Sequence, residues 1–214
     1  MDLRLYAVTD RSYLKGIDLV SAVELAIRGG ATIIQLREKE ISSKEFYELA
    51  LKVKEVTKHN NIPLIINDRV DIALAVDADG VHVGQEDLPA EVVRRLIGPD
   101  KILGVSASTV EEAVKAERDG ADYLGVGAVY TTLTKPEADA IGIEGLQKIK
   151  EAVSIPVVAI GGITQENAYE IMLKSEVDGI SSVSAVFSGD VEENSRRLLQ
   201  TIEKAISDRR NLKW

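Results

Sequence analysis

The sequence predicts a single closed (β/α)8 barrel, an α/β fold, and three observations predict it. Short apolar runs alternate with stretches of helical periodicity along the whole chain. They form eight strand-then-helix units at intervals of about 25 residues. Turns such as Gly29-Gly30-Ala31, Asp119-Gly120-Ala121-Asp122 and Val177-Asp178-Gly179 recur where a helix gives way to a strand. Strict alternation implies a parallel sheet. Eight units in 214 residues imply closure into a TIM barrel, an open doubly wound sheet being the alternative.

The elements follow in order. Residues 3–9 (LRLYAVT) read as the first strand, and 10–16 as a turn-rich connection. Residues 17–28 place Leu19, Val23, Ala26 and Ile27 at helical spacing and stop at Gly29-Gly30, a C-cap signal. Residues 31–36 are strand-like. A helix over 42–58 opens with a capping-box pattern, Ser42 or Ser43 with Glu45. A strand at 62–67, a short helix at 69–76 and a strand at 80–83 come next. Pro89 opens a helix over 89–97, 102–106 is a strand, and Thr109 caps a helix that closes at Gly120. After a strand at 123–127, the polar, Thr-rich segment 128–142 breaks the rhythm, and its length argues for a flexible lid. The rhythm resumes with a helix at 143–153, a strand at 156–160, a helix at 165–173, a strand at 179–183 and a helix at 191–206. The charged tail 207–214 is expected to be loose. All of it reads as one domain.

Composition narrows the function. Lys and Arg number 26 against 35 Asp and Glu, a net charge of −9, which argues against nucleic acid and anionic membranes as partners. The absence of cysteine excludes disulfides, thiol catalysis and thiolate metal sites. Two histidines, His59 and His82, argue against a zinc enzyme. No signal-peptide pattern opens the chain and no apolar run is long enough to span a bilayer, so a soluble cytoplasmic protein is expected. A homo-oligomer is left open.

In this fold the chemistry sits where strands end. Along the second strand Ile33, Gln35, Arg37 and Lys39 share one face, which turns from apolar to polar to cationic, while Ile34 and Leu36 share the other. Two cations at the mouth of an acidic barrel call for an anion; the alternative is pairing with Glu38 and Glu40. The third strand ends in Asn67-Asp68. Asn67 offers a paired donor and acceptor suited to an aminopyrimidine or other heteroaromatic edge. The fourth leads to Gly84-Gln85-Glu86-Asp87. Asp68 and Asp87 then face each other at neighbouring strand ends and suit a hard cation such as Mg²⁺. Each alone reads equally well as a cap or a turn residue. Ser106, after the fifth strand, either donates to a leaving-group oxygen or caps a loop. Thr131, Thr132, Thr134 and Lys135 suit a phosphate-bearing ligand, or else form a plain surface loop. Gly161-Gly162 after the seventh strand, with Val183 and Ser184 after the eighth, match the phosphate site common in such barrels. His82 lies within an apolar strand and reads as structural. Two anion regions, a metal and no evident general base suggest displacement of diphosphate with stabilisation of the leaving group.

The motifs Gln35-Leu36-Arg37-Glu38-Lys39, Asn67-Asp68, Gly84-Gln85-Glu86-Asp87-Leu88-Pro89, Gly104-Val105-Ser106, Thr132-Leu133-Thr134-Lys135, Ile160-Gly161-Gly162-Ile163 and Val183-Ser184-Ala185 run in order over nearly the whole chain. Together they resemble the thiamine phosphate synthase (thiamine-phosphate pyrophosphorylase) family. The resemblance implies a transferase that joins 4-amino-2-methyl-5-hydroxymethylpyrimidine diphosphate to 4-methyl-5-(2-phosphoethyl)thiazole and releases diphosphate. It implies that Gln35, Arg37, Lys39 and Asn67 hold the pyrimidine diphosphate and that Asp68 and Asp87 bind Mg²⁺. It places Ser106 and Lys135 on the pyrimidine diphosphate or departing diphosphate, with Arg37 and Lys39 completing the catalytic set. Thr132, Thr134, Gly162, Val183 and Ser184 would hold the thiazole phosphate. The implied mechanism is dissociative. Two departures stand out: Thr131 where the family usually has proline, and Ser108 where a histidine is common. The alternatives are the thiazole tautomerase branch of the same barrel, which relies on that histidine, and a non-catalytic barrel that binds thiamine phosphates.

Overall fold

The computed structural model describes residues 1–131 and 140–212. Among them, eight parallel strands close into one barrel in chain order: β1 (Leu5–Val8), β2 (Ile33–Leu36), β3 (Leu64–Asn67), β4 (Gly80–Val83), β5 (Ile102–Ala107), β6 (Tyr123–Val126), β7 (Val157–Ala159) and β8 (Gly179–Ser182). The expected closed barrel is observed. The helices are α1 (Leu19–Arg28), α2 (Ser43–His59), α3 (Val70–Ala75), α4 (Ala90–Ile97), α5 (Val110–Arg118), α6 (Gly142–Ala152), α7 (Ala168–Ser175), α8 (Ser184–Phe187) and α9 (Val191–Leu212).

Local chemistry explains the boundaries. Ser42, not Ser43, caps α2: Glu45 N–H donates to Ser42 Oγ, and Ser42 N–H donates to Glu45 Oε2 at 2.9 Å. Thr109 caps α5 by accepting from Glu112 N–H. Pro89 stands at the N-cap of α4. Gly30 adopts φ 105° just past α1, where a side chain would also strike Leu199 of α9.

Two elements differ from the sequence expectation. The four-residue α8 is too short to carry a periodic pattern. Residues 207–212, expected as part of a loose tail, continue α9. They are tied down: Tyr169 donates to Asp208 Oδ2 at 2.6 Å, and Arg209 donates to the Met172 and Val177 carbonyls.

Strand alternation divides the core in two. Tyr6, Val8, Ile33, Ile65, Tyr123 and Val158 pack inside the barrel. Ile34, Leu36, Leu64, Ile66, Val81 and Leu103 face outward and are covered by the helices. Parallel pairing sets Asn67 beside His82, His82 beside Gly104, and Gly104 beside Tyr123, so that these residues lie in one row across β3 to β6.

The floor of the barrel is closed by side chains that stand before alternate strands. Asp79 Oδ2 accepts from Leu64 N–H, Asp122 Oδ2 from Leu103 N–H and Asp178 Oδ2 from Val157 N–H, at 2.7–2.8 Å. Thr32 Oγ1 takes the same position toward Leu5 N–H at 3.1 Å. Asp122 is further held by Arg94 at 2.5 Å, and Asp178 by Lys150 at 2.7 Å. The recurring helix-to-strand turns thus carry stability. Asp122→Ala should cost about 1–3 kcal/mol of unfolding free energy by stranding the Leu103 N–H and removing the ion pair with Arg94, with turnover unchanged. Denaturant unfolding beside a steady-state assay checks both.

Candidate active site

β2 carries a polarity gradient toward the mouth. Ile33 is fully buried in the barrel, Gln35 is 5% exposed, the Arg37 side chain is 18% exposed and the Lys39 side chain 51%. Neither cation pairs with Glu38 or Glu40. Arg37 Nη1 meets Asp10 Oδ2 at 3.1 Å, Lys39 Nζ meets Asp68 Oδ2 at 2.5 Å, and Glu38 is taken by Arg11 at 2.6 Å. Both site cations are therefore balanced by carboxylates contributed from other loops.

Asp68 does not cap α3; the N-cap residue there is Arg69, without a side-chain hydrogen bond. Asp68 instead ends β3 in the left-handed region, at φ 58°, with its N–H on His82 O at 2.8 Å. Asp tolerates that conformation better than most residues. The turn brings its carboxyl toward Asp87, whose Oδ2 accepts from Gly84 N–H at 2.7 Å. Burial pushes the Asp87 pKa above the usual carboxylate range. The Gly84 N–H opposes that, the facing Asp68 carboxyl raises it further, and Lys39 lowers it. Two mutually repelling hard oxygen donors fit a divalent cation. Among the described residues no group of three or more His, Cys, Asp or Glu could hold a metal. The pair would therefore leave most positions to water and a ligand's oxygens, as Mg²⁺ prefers.

Below the mouth lies a buried polar row. Gln35 Nε2 donates to the Tyr6 hydroxyl at 2.8 Å, the Tyr6 and Tyr123 hydroxyls meet at 2.6 Å, Tyr123 meets His82 Nδ1 at 2.9 Å, and His82 Nε2 meets Ser106 Oγ at 2.9 Å. Burial pushes both phenols up, so they stay protonated. Asn67 is 9% exposed and its amide makes no hydrogen bond to a described residue.

Across the mouth, Gly161 and Gly162 turn at φ 94° and 66° after β7. A side chain on Gly162 would collide with Tyr130 and Thr131, so glycine is required by both conformation and space. Asn167 Nδ2 holds the Gly162 carbonyl at 2.9 Å. The ends of the β6 connection are pinned, with Ile141 N–H on Ala128 O at 2.9 Å and Gly142 N–H on Val129 O at 3.0 Å. Ser108 donates through both N–H and Oγ to Glu112 Oε2, at 2.7 and 3.0 Å.

These groups surround one cavity of about 670 Å³. Gln35, Arg37, Lys39, Asn67, Asp68, Asp87, Ser106, Gly162, Val183 and Ser184 all line it. Thr132, Thr134 and Lys135 lie outside the described residues. Sequence reasoning missed Tyr6 and Tyr123 and gave His82 only a structural place. Tyr6 and His82 line the cavity and Tyr123 joins them. A usable signal was the glycine pair Gly104 and Gly125, in neighbouring strands that otherwise favour side chains.

Comparison with known proteins bears on this cavity. The family model described as thiamine monophosphate synthase matches residues 5–186. The chain is 63% identical over 209 residues to the thiamine-phosphate synthase of Caldanaerobacter subterraneus subsp. tengcongensis, covering 98% of both chains. It is 59% identical over 186 residues to that of Clostridium tetani, covering 87% of this chain and 88% of the relative. The structure of thiamine phosphate pyrophosphorylase from Pyrococcus furiosus superimposes with a TM-score of 0.88 at 46% identity, covering 96% of this chain and 98% of that one. The chain, with its eight-stranded barrel and the cavity at its mouth, belongs to the thiamine monophosphate synthase family.

Proposed function

We propose that the protein condenses 4-amino-2-methyl-5-hydroxymethylpyrimidine diphosphate with 4-methyl-5-(2-phosphoethyl)thiazole to give thiamine phosphate and diphosphate. The observation that carries this reading is the grouping of Gln35, Arg37, Lys39, Asn67, Asp68, Asp87 and Ser106 on one side of a single cavity, with Gly162, Val183 and Ser184 also lining it. The first group has the chemistry for an aminopyrimidine bearing a diphosphate. The second has backbone and hydroxyl groups suited to a monophosphate.

In this reading Gln35 and Asn67 orient the pyrimidine, and Arg37 and Lys39 take the diphosphate. Lys39 then leaves Asp68 for the phosphate oxygens, and Asp68 and Asp87 hold Mg²⁺. The bound cation supplies charge neutralisation for the departing diphosphate. The bond between the pyrimidine methylene carbon and the diphosphate oxygen breaks first, and the electron pair leaves with diphosphate. Ser106, Arg37, Lys39 and Lys135 stabilise that charge. The thiazole nitrogen, placed by Thr132, Thr134, Gly162, Val183 and Ser184, donates its lone pair to the methylene carbon. No group has to remove a proton from either substrate. The tautomerase alternative requires a histidine where Ser108 is held by Glu112.

Both substrates are soluble, and no helix among the described residues is long and apolar enough to cross a membrane; we place the reaction in the cytoplasm. The test is to mix the two substrates with protein and Mg²⁺ and follow diphosphate and thiamine phosphate. Stoichiometric formation of both is expected. No diphosphate from this mixture would refute the assignment.

A further inference from the structure

We propose that Gln35, Tyr6, Tyr123, His82 and Ser106 form a direction-locked hydrogen-bond relay in which Tyr123 and His82 are positioning residues, holding His82 as its Nε2–H tautomer so that Ser106 turns its own proton into the cavity. The role assigned to that proton rests on the function proposed above.

The direction follows from counting protons. A phenol carries one, a neutral imidazole one, and an amide nitrogen donates but does not accept. Gln35 Nε2 donates to Tyr6, so the Tyr6 proton is passed to the Tyr123 oxygen. Tyr123 then gives its proton to His82 Nδ1, which must be bare. The imidazole proton sits on Nε2 and goes to Ser106 Oγ. Ser106 accepts from His82, and its own proton is left for the cavity. Every junction has one donor and one acceptor. With the Gln35 amide donating, the reverse order from Ser106 to Tyr6 would leave the proton of the buried Tyr6 hydroxyl without an acceptor.

A second observation shows that the strands are shaped around the relay. A Cβ at Gly104 would overlap the Tyr123 ring and hydroxyl and stand 2.5 Å from His82 Nδ1. At Gly125 a Cβ would stand 3.0 Å from His82 Cε1. Glycine weakens a strand interior, yet β5 and β6 each give up a side chain where the Tyr123–His82 pair needs the space. Gln85 Nε2 also grips the Ser106 carbonyl at 2.7 Å, so the backbone of Ser106 is fixed.

The result is a cavity with set polarity. At the Ser106 end it presents an O–H, suited to an oxygen that gains negative charge as a C–O bond breaks. At the Gln35 end the amide nitrogen is committed to Tyr6, which leaves the carbonyl oxygen to accept from an amino group. His82 exchanges no proton; it carries orientation from one end to the other.

The tautomer of His82 tests this without substrate. In protein labelled with ¹⁵N-histidine, long-range ¹H–¹⁵N correlations distinguish Nδ1–H from Nε2–H, and His59→Gln assigns the two histidines. The expected result is a single Nε2–H tautomer for His82 in the wild-type protein. Tyr123→Phe should give a tautomer mixture and a roughly fivefold to tenfold lower kcat, with KM for the thiazole phosphate unchanged. An Nδ1–H tautomer or an imidazolium in the wild type would overturn the relay, as would wild-type tautomer and kcat in Tyr123→Phe. Absence of diphosphate release by the wild type would refute the proposed reaction, while the wild-type spectrum still decides the relay.

Discussion

Asp87→Asn is expected to lower Mg²⁺-dependent turnover by about 10³-fold or more, since losing a metal's charge stabilisation costs several kcal/mol. The metal-free protein should keep its fold and melt at the same temperature or slightly higher. The sign follows from linkage. The folded-state pKa of Asp87 is raised, chiefly by burial and then by Asp68. A carboxyl with a raised pKa binds its proton more tightly folded than unfolded, so its ionised form is a burden on the fold above the ordinary carboxylate range. Asparagine removes that burden and its Oδ1 still accepts from Gly84 N–H. Loss of activity without loss of thermal stability separates a ligand from a structural residue. Unchanged turnover would remove the metal assignment. At Asp68 the informative change is also to asparagine, because alanine would add strain at φ 58°.

Lys39→Ala is expected to raise KM for the pyrimidine diphosphate by about ten- to a hundredfold, the range for losing a charge-assisted hydrogen bond. KM for the thiazole phosphate should stay nearly constant. The same variant should bind Mn²⁺ more tightly in the absence of substrate. In the present structure the Lys39 ammonium stands 2.5 Å from Asp68 Oδ2 and competes with a cation for that carboxylate. Titration followed by electron paramagnetic resonance reads the metal directly. Equal loss toward both substrates would contradict the division of the cavity, and unchanged Mn²⁺ affinity would contradict the competition.

Much of the barrel was legible because its signals are local or periodic. The Ser42–Glu45 capping box is written within four residues, and the alternation from Ile33 to Lys39 within seven. That alternation also set which side chains line the cavity, and Gln35, Arg37 and Lys39 all do. What the sequence hid depends on distant partners. Arg37 finds Asp10, and Lys39 finds Asp68, 27 and 29 residues away. His82 looks like an apolar-strand residue in Gly-Val-His-Val until Tyr123 and Ser106, 41 and 24 residues on, meet its ring nitrogens. The end of α9 was misjudged for the same reason: Asp208 and Arg209 look like solvated charge, yet they bond to Tyr169, Met172 and Val177.

The carboxylates on the barrel floor carry a consequence for how such a molecule can change. Asp79, Asp122 and Asp178 secure alternate strands from the end opposite the substrates. A hybrid that keeps these three acids while importing the strand-to-helix loops of a distant barrel should therefore keep the bonds that fix its strand bases, while Gln35, Asn67 and Ser106, which stand on the strands themselves, go on lining its cavity.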